Sequence, residues 1–494
     1  MSTASFKARF AALKGGWCAE AQTFCEELLS YIDEQDGRMD GLARQQKEVS
    51  ERVEELQTRL GLNSTNSSIP PSKNPGGASH KPQAGSSRVK TKRKPGGQAG
   101  HKGHKAKFSE HPDEIVIHDV TTCPGCQADL SAVAPSSWVR KQHIELPPMQ
   151  AVVTEHRIAV KTCCGCCKQV QAQSCPQTAE LEFGPRLQAF ALYLSCYQML
   201  PQQRTKELFE AFGVSISSAT LNNIRLRGGQ HLQLFLTLLM QTLKHAKVLH
   251  ADETGTRVNG KRQWIHVVCD TLHTLFVIHT KRGHEAHDYI GILGGYEGVL
   301  HHDRLSAYDR YACLHALCCA HLLGDLQGVV DTQYQKRWAK GMMRLLINMK
   351  KQVAKIASGV LSEAQRLRYA RQYQRLVAKG LRHHPPKDKP PGKKGKVKQS
   401  KTCNLLLALQ NRMDEVLRFT SNELAEFTNN LAERDLRMNK IRDKVSGGFR
   451  SIPAAEAYMH IRSFISTAKK QAVAPLEALY KLFTSDDSYL ELAR

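Results

Sequence analysis

From Ala246 onward the chain alternates short β-like runs with turn signals, and two runs bring an acid where a core-facing strand should stay apolar. The pattern predicts strands over 246–252, 263–269, 274–280, 297–303 and 314–318, with a short helix near 284–293. In "VLHADET" Asp252 ends the first run, with Glu253 directly after it. In "GVLHHDRLSAYDRY" Asp303 holds the same relative place on the fourth. Either such acids face solvent at a turn or one is set to hold a positive charge.

Three strands in a meander, a helix, a strand, another crossover and a final helix make the order of a ribonuclease H-like fold. A helix-rich stretch (336–378) and a basic loop interrupt the series before a last helix expected at 421–440. In this fold the first and fourth strands are neighbours, ~4.8 Å apart. Two carboxylates at adjacent strand ends repel unless a divalent cation lies between them, and oxygen ligands suit Mg²⁺ or Mn²⁺. A third acid should come from the last helix, where spacing leaves Glu423, Glu426, Glu433 and Asp435 open. Glu433 lies one turn beyond Asn429 and Asn430, but Arg437 at i+4 equally permits a surface ion pair. His250, His301 and His302 are expected to pack around the acids rather than to bind zinc, because no HExxH pair is present. Lys261 and Arg262, in an expected hairpin turn, suit phosphate contact or plain exposure.

The 494 residues carry a formal charge of +24, and it is unevenly placed. Residues 68–108 hold +10 and residues 379–401 hold +8, leaving +6 for the other 430. Two basic segments on a nearly balanced body suit a polyanion, by default nucleic acid. No apolar run approaches the ~18 residues of a membrane span. "MSTASFKARFAALKGG" lacks an export signal, so a cytoplasmic protein with reduced thiols is expected. Fifteen cysteines then suggest metal binding. Cys123-x-x-Cys126 and, about forty residues later, "CCGCC" flank alternating segments, the pattern of a ribbon closed by four thiolates on a structural Zn²⁺. Cys163/Cys166 and Cys164/Cys167 both have the required spacing; the first pair directly follows the strand and is preferred.

Leu28, Ile32, Gln35, Met39, Leu42, Gln46, Val49, Val53, Leu56 and Leu60 step by four and three, a heptad seam that suits a coiled coil between two protomers. "LPQQRTKELFEAFGVSISSATLNNIRLRGG" predicts a helix ending at Gly213 and a second opening near Ser215–Ser218, with helix-turn-helix length. Thr220, Asn222, Asn223 and Arg225 would lie on or near its groove-facing helix. The expected organisation is a multidomain α+β chain. It comprises a helical coiled coil (1–62), a basic linker (63–108), a zinc ribbon (109–180) and a helical DNA-binding region (181–245). The core (246–470), with a helical insertion at about 330–420, and a tail (471–494) follow.

The blocks "NSTNSSIPPS", the paired CxxC, "HADETGTRVNGKRQWIHVV", "TKRGHEAHDYIGIL", "HHDRLSAYDRY", "HALCCAHLL", "NNLAERDLRMNKIRDKVSGGFRS" and "AYMHIRSFISTAKKQ" fall in order over about 20–470. There the chain resembles the transposases of the insertion sequence 66 family. The resemblance implies DNA cutting and joining by a DDE triad, and it selects Asp252, Asp303 and Glu433. It also implies DNA ends and target as partners and possible need for two small accessory proteins, while a homo-oligomer is expected from the coiled coil. Two departures stand out. Gly324 and Asp325 occupy a stretch of the His321 block where the family carries Arg, and Arg304 follows Asp303 where a Gly is usual. A catalytically inactive or domesticated zinc-containing DNA binder is the alternative; a junction or repair nuclease would have little use for the coiled coil and ribbon.

Overall fold

The computed structural model describes residues 11–12, 14–61, 108–172, 181–388, 395, 397–484 and 486–494. The expected basic linker, Phe108 excepted, and residues 389–394 and 396 of the second basic run lie outside the described residues. The chain divides into two compact units. One is Met1–Ser87, Phe183–Pro201 and Leu221–Arg494, and the other Arg88–Glu182 and Gln202–Thr220. Among the described residues no helix is long and apolar enough to cross a membrane.

The larger unit is a mixed α/β body on a five-stranded sheet. Its strands are β3 (Val248–Val258), β4 (Lys261–Cys269), β5 (Thr274–His279), β6 (Val299–His302) and β7 (Leu314–Leu317), and a hairpin in the smaller unit supplies β1 (Val160–Thr162) and β2 (Gln169–Gln171). The order is β5-β4-β3-β6-β7. β3, β4 and β5 pair antiparallel, and β6 and β7 run parallel to β3. Asn259 and Gly260, at φ 48° and 73°, form the β3–β4 turn; positive φ at both central residues is what a two-residue hairpin of matching twist requires. β6 is buried throughout, as a parallel strand covered on both faces should be. On the outer edge, the β5 N–H groups of Thr274 and Phe276 donate to Thr467 Oγ1 and Ser463 Oγ of the helix Ile452–Lys470, so that helix blocks the edge.

Two expectations shift in register. β3 runs on to Val258, so Asp252 lies within the strand rather than at its end. The hairpin with β4 continues past it, while the ladder to β6 stops at His250–His301. The helix expected to be the last begins at Asn430, not near 421, and runs to Ser446, and the helices Ile452–Lys470 and Pro475–Leu482 follow it. Residues before it are held by local turns, with Asn422 Oδ1 accepting from Leu424 N–H, a geometry that competes with helix.

The insertion folds as helices Arg337–Val353, Glu363–His383, Lys401–Asn411 and Met413–Leu417. They bury Trp338, Met342, Tyr373 and Leu406 against Leu317 and Leu326. Elsewhere in this unit, a Cβ on Gly229 would stand 2.7 Å from Ala457 Cα and Cβ, so backbone meets helix there without a side chain. Gly229→Ala is expected to destabilise the protein by about 2 kcal/mol, seen as a lower urea midpoint, because overpacking must push two helices apart.

Residues Ala19–Gly61 form one helix of 43 residues. Gly37 and Gly41 do not interrupt it. Along the expected seam Leu28, Met39, Leu42, Val49, Val53 and Leu56 are exposed, and Leu29 is buried instead; the side chain of Leu60 lies outside the described residues.

In the smaller unit, hydrogen bonds from Gln127 N–H to Cys123 O and from Cys167 N–H to Cys163 O close two like knuckles. Each turns through a non-glycine residue of positive φ, Gln127 at 60° and Cys167 at 56°. The alternating segments between them form no ladder before β1, although strands were expected. Val139, Ile144, Val152 and Val153 are all exposed: alternation yields strands only where a facing surface covers the apolar side, and none does so here. The helix Gln202–Ala211, a turn through Gly213 at φ 78°, and a helix opening at Ser218 follow the expected helix-turn-helix order. Ser217 Oγ accepts from Thr220 N–H, capping the second helix.

Candidate active site

The β3–β6 register pairs Val248 with Val299 and His250 with His301. Two residues further along each chain come Asp252 and Asp303, so a parallel ladder that ends just short of them leaves two carboxylates side by side. Their oxygens and one of Glu253 lie within 4.8 Å of one another. Burial, and then the charge of Asp303, push Asp252 up to about 6 and Glu253 up to about 7. The charge of Glu433 adds a smaller rise at Asp252.

Glu253 is the residue that sequence reasoning left without a role. Its side chain is 0% exposed. Arg282 donates from Nε and Nη2 to Oε1 at 2.8 and 2.6 Å, and the Tyr308 hydroxyl donates to Oε2 at 3.0 Å. The same guanidinium reaches Asp303 Oδ2 at 3.7 Å and lies over the Trp264 ring. Arg262 lies over the same ring, 4.5 Å from its centroid. The adjacent acids of the first run thus divide their tasks: Glu253 fixes an arginine, and Asp252 stays open beside Asp303.

Glu433 does not join the three carboxylates in their tight group. It faces Cys318 and His321, and one ligand atom of each of these three lies within 4.8 Å of the others. The Cys318 sulfur, and then the charges of Glu433 and Asp252, hold His321 up to about 9. Fully buried Asn429 joins this group to the sheet. Its side-chain Nδ2 donates to Ala251 O at 2.8 Å, its Oδ1 accepts from His250 Nδ1 at 2.9 Å, and its backbone N–H reaches Cys318 Sγ at 3.2 Å. Its carbonyl accepts from Glu433 N–H, starting the helix that carries Glu433.

The histidines pack, as expected. His250 and His301 stack with centroids 4.5 Å apart, and His302 Nε2 meets His315 Nδ1 at 3.0 Å. Burial holds His250 and His302 below the usual imidazole range and His301 down at about 3, so all three stay neutral.

The two departures from the family pattern meet in space. Arg304 sits at φ 81°, a backbone conformation that favours glycine, and its guanidinium pairs with Asp325. A left-handed L-residue costs about 1–2 kcal/mol, and a half-exposed ion pair returns less. Arg304→Gly is therefore expected to raise stability by about 1 kcal/mol, read as a higher urea midpoint; a lower midpoint would show that the ion pair outweighs the backbone strain.

At the knuckles, Cys126 and Gly125 N–H groups lower the Cys123 thiol, and Cys166 and Gly165 lower Cys163 in the same way. This likeness favours Cys163/Cys166 over Cys164/Cys167 as the partner of Cys123/Cys126. Among the described residues the two knuckles are not gathered into one metal-sized group. Of the expected groove-facing residues, Asn223 is exposed and Thr220 and Asn222 half-buried; Arg225 turns its Nε inward, where it is buried without a hydrogen bond.

No curated protein matches the chain. Residues 12–107 match a family of unknown function, and residues 121–167, spanning both knuckles, match the zinc-finger binding domain of transposase IS66. That match gives the smaller unit its zinc-finger domain. Residues 180–457, more than half of the chain and every residue of both ligand groups, match the transposase IS66 family. With the zinc-finger match directly ahead of a transposase match over more than half of its length, the chain belongs to the IS66 transposase family.

Proposed function

We propose that the protein cuts insertion-element ends and joins the freed 3′-hydroxyl to target DNA, using Asp252, Asp303 and Glu433 on a ribonuclease H-like core. The observation that carries the reading is the pairing of Asp252 with Asp303 at the open end of the β3–β6 ladder, where Asp252 also feels the charge of Glu433. The sheet order, a three-strand meander extended on its β3 side by two parallel strands, supports that core. Three oxygens within ligand reach and two acids raised in pKa describe a site with surplus negative charge, which a hard divalent ion such as Mg²⁺ or Mn²⁺ would neutralise. Asp252 and Asp303 would hold that ion. Bound there, it supplies charge for the leaving oxygen and a more acidic attacking hydroxyl.

The chain's own residues do the rest. Arg282 holds Glu253 through two hydrogen bonds and reaches Asp303 only at 3.7 Å, so Asp252 and Asp303 are the acids left to hold an ion. Arg262 and Arg282, stacked on Trp264, offer guanidinium groups to a DNA phosphate beside the acids. Asn429 fixes the distance between the sheet and the Glu433 helix. The exposed apolar seam of Ala19–Gly61 suits a second copy of the chain, and the zinc-finger domain, the Ser218–His231 helix and the basic runs suit DNA.

Incubating the protein with element-end duplexes, a target plasmid and Mg²⁺ tests the reading. Joined products are expected. Binding alone would support the second reading, an inactive DNA binder, for which the departures at Arg304 and Asp325 are the only observations. Hydrolysis without joining would point to a nuclease.

A further inference from the structure

We propose that Cys318, His321 and Glu433 form a zinc site with one open coordination position, adjoining the Asp252–Asp303 pair. Cys318 Sγ lies 3.8 Å from Glu433 Oε1, and His321 Nδ1 lies 3.5 Å from the same oxygen. A direct imidazole–carboxylate hydrogen bond would close to about 2.8 Å. Ligands on a tetrahedral ion with Zn–S of ~2.3 Å and Zn–N or Zn–O of ~2.0 Å stand about 3.3–3.6 Å apart. His321 and Glu433 are therefore spaced as ligands rather than as hydrogen-bond partners, and Cys318 Sγ, a weak donor to the same Glu433 oxygen, stands close to ligand spacing. His321 Nδ1 is buried and makes no hydrogen bond, so a donor atom faces Glu433 unused.

The scaffold around the three is built to hold them. Cys318 caps the helix Cys319–Thr332, and His321 stands one turn further on, so both side chains leave the same end of one helix. Glu433 comes from the first turn of the facing helix. The Asn429 N–H directed at Cys318 Sγ is the hydrogen bond that supports a thiolate ligand. A thiolate and an imidazole favour Zn²⁺ over Mg²⁺. Three protein ligands rather than four leave a place for water or a phosphate oxygen, unlike the closed four-thiolate site expected of the zinc-finger domain. A hard ion on Asp252 and Asp303 and a softer one on Cys318, His321 and Glu433 would then flank the same phosphate. That catalytic use rests on the transposase reading; the binding of zinc does not.

The test counts metal in the full-length protein, purified with zinc and desalted. About two zinc ions per chain are expected, one in the zinc-finger domain and one here. Cys318→Ser and His321→Ala should each lower the count to about one, and Cys123→Ser should lower it to about one by emptying the other site. Cobalt-loaded Cys123→Ser should keep a thiolate charge-transfer band that Cys318→Ser in the same background removes. Asp252→Asn should retain both zinc ions while losing strand transfer, which separates a failure of this site from a failure of the transposase reading. A wild-type count of one that vanishes in Cys123→Ser overturns the proposal, whether or not the Cys318 variant folds. So does a cobalt band indifferent to Cys318.

Discussion

Asp252→Asn is expected to abolish strand transfer and, in metal-free protein near pH 8, to make the fold more stable. The first effect follows from losing a ligand whose charge neutralisation at the reacting phosphate is worth several kcal/mol, roughly a thousand-fold or more in rate. The second follows from linkage. Burial and Asp303 raise Asp252 to about 6 and Glu253 to about 7, above their unfolded values of 3.8 and 4.5. Between about pH 4 and pH 7 the folded protein thus holds more protons than the unfolded chain, and stability falls as pH rises. Removing the Asp252 charge should return about 3 kcal/mol at pH 8 and almost nothing below pH 4. Mg²⁺ should reverse the order by raising the wild-type melting temperature and leaving the variant unmoved. Melting curves at pH 4, 6 and 8, with and without Mg²⁺, check the sign. Full strand transfer by Asp252→Asn would remove the acid from the mechanism.

Much of this site was legible because two simple rules operate there. Alternating apolar residues placed β4 to β7 and the start of β3 within two positions, though not the end of β3, and an acid at the end of an apolar run is costly enough to need a cause. Asp252 and Asp303 met both conditions. Glu253 was legible as an anomaly but not as a ligand of arginine, since its partner lies 29 residues on and period-two reasoning points adjacent side chains apart. Cys318 and His321 were visible only as part of "HALCCAHLL", with nothing local to announce that Glu433 would face them from more than a hundred residues away. Periodicity likewise ran the last helix back through residues 421–429, where Asn side chains and backbone make turns instead. The pairing of Arg304 with Asp325 shows the same limit. Each departure from the family pattern looked like decay when taken singly, and only the fold shows that the two side chains meet.

Asn429→Ala is expected to cost about 3 kcal/mol and to lower strand transfer by more than the lost stability explains. The substitution keeps the backbone bonds to Cys318 and Glu433 but deletes both side-chain bonds, leaving the Ala251 carbonyl and His250 Nδ1 buried without partners. Each orphaned group costs about 1–3 kcal/mol, and a buried network loses its members together. Those same two bonds are what tie the start of the Glu433 helix to the strand carrying Asp252. With them gone, Glu433 is free to shift by a fraction of an ångström relative to Asp252, and misplacement of that order slows a positioned reaction tens-fold or more. The two consequences separate by temperature. Assayed well below its melting point, a variant that was only less stable would recover wild-type joining, whereas one with a displaced Glu433 would stay slow while binding DNA normally. Recovery of full activity in the cold would reduce Asn429 to a packing residue.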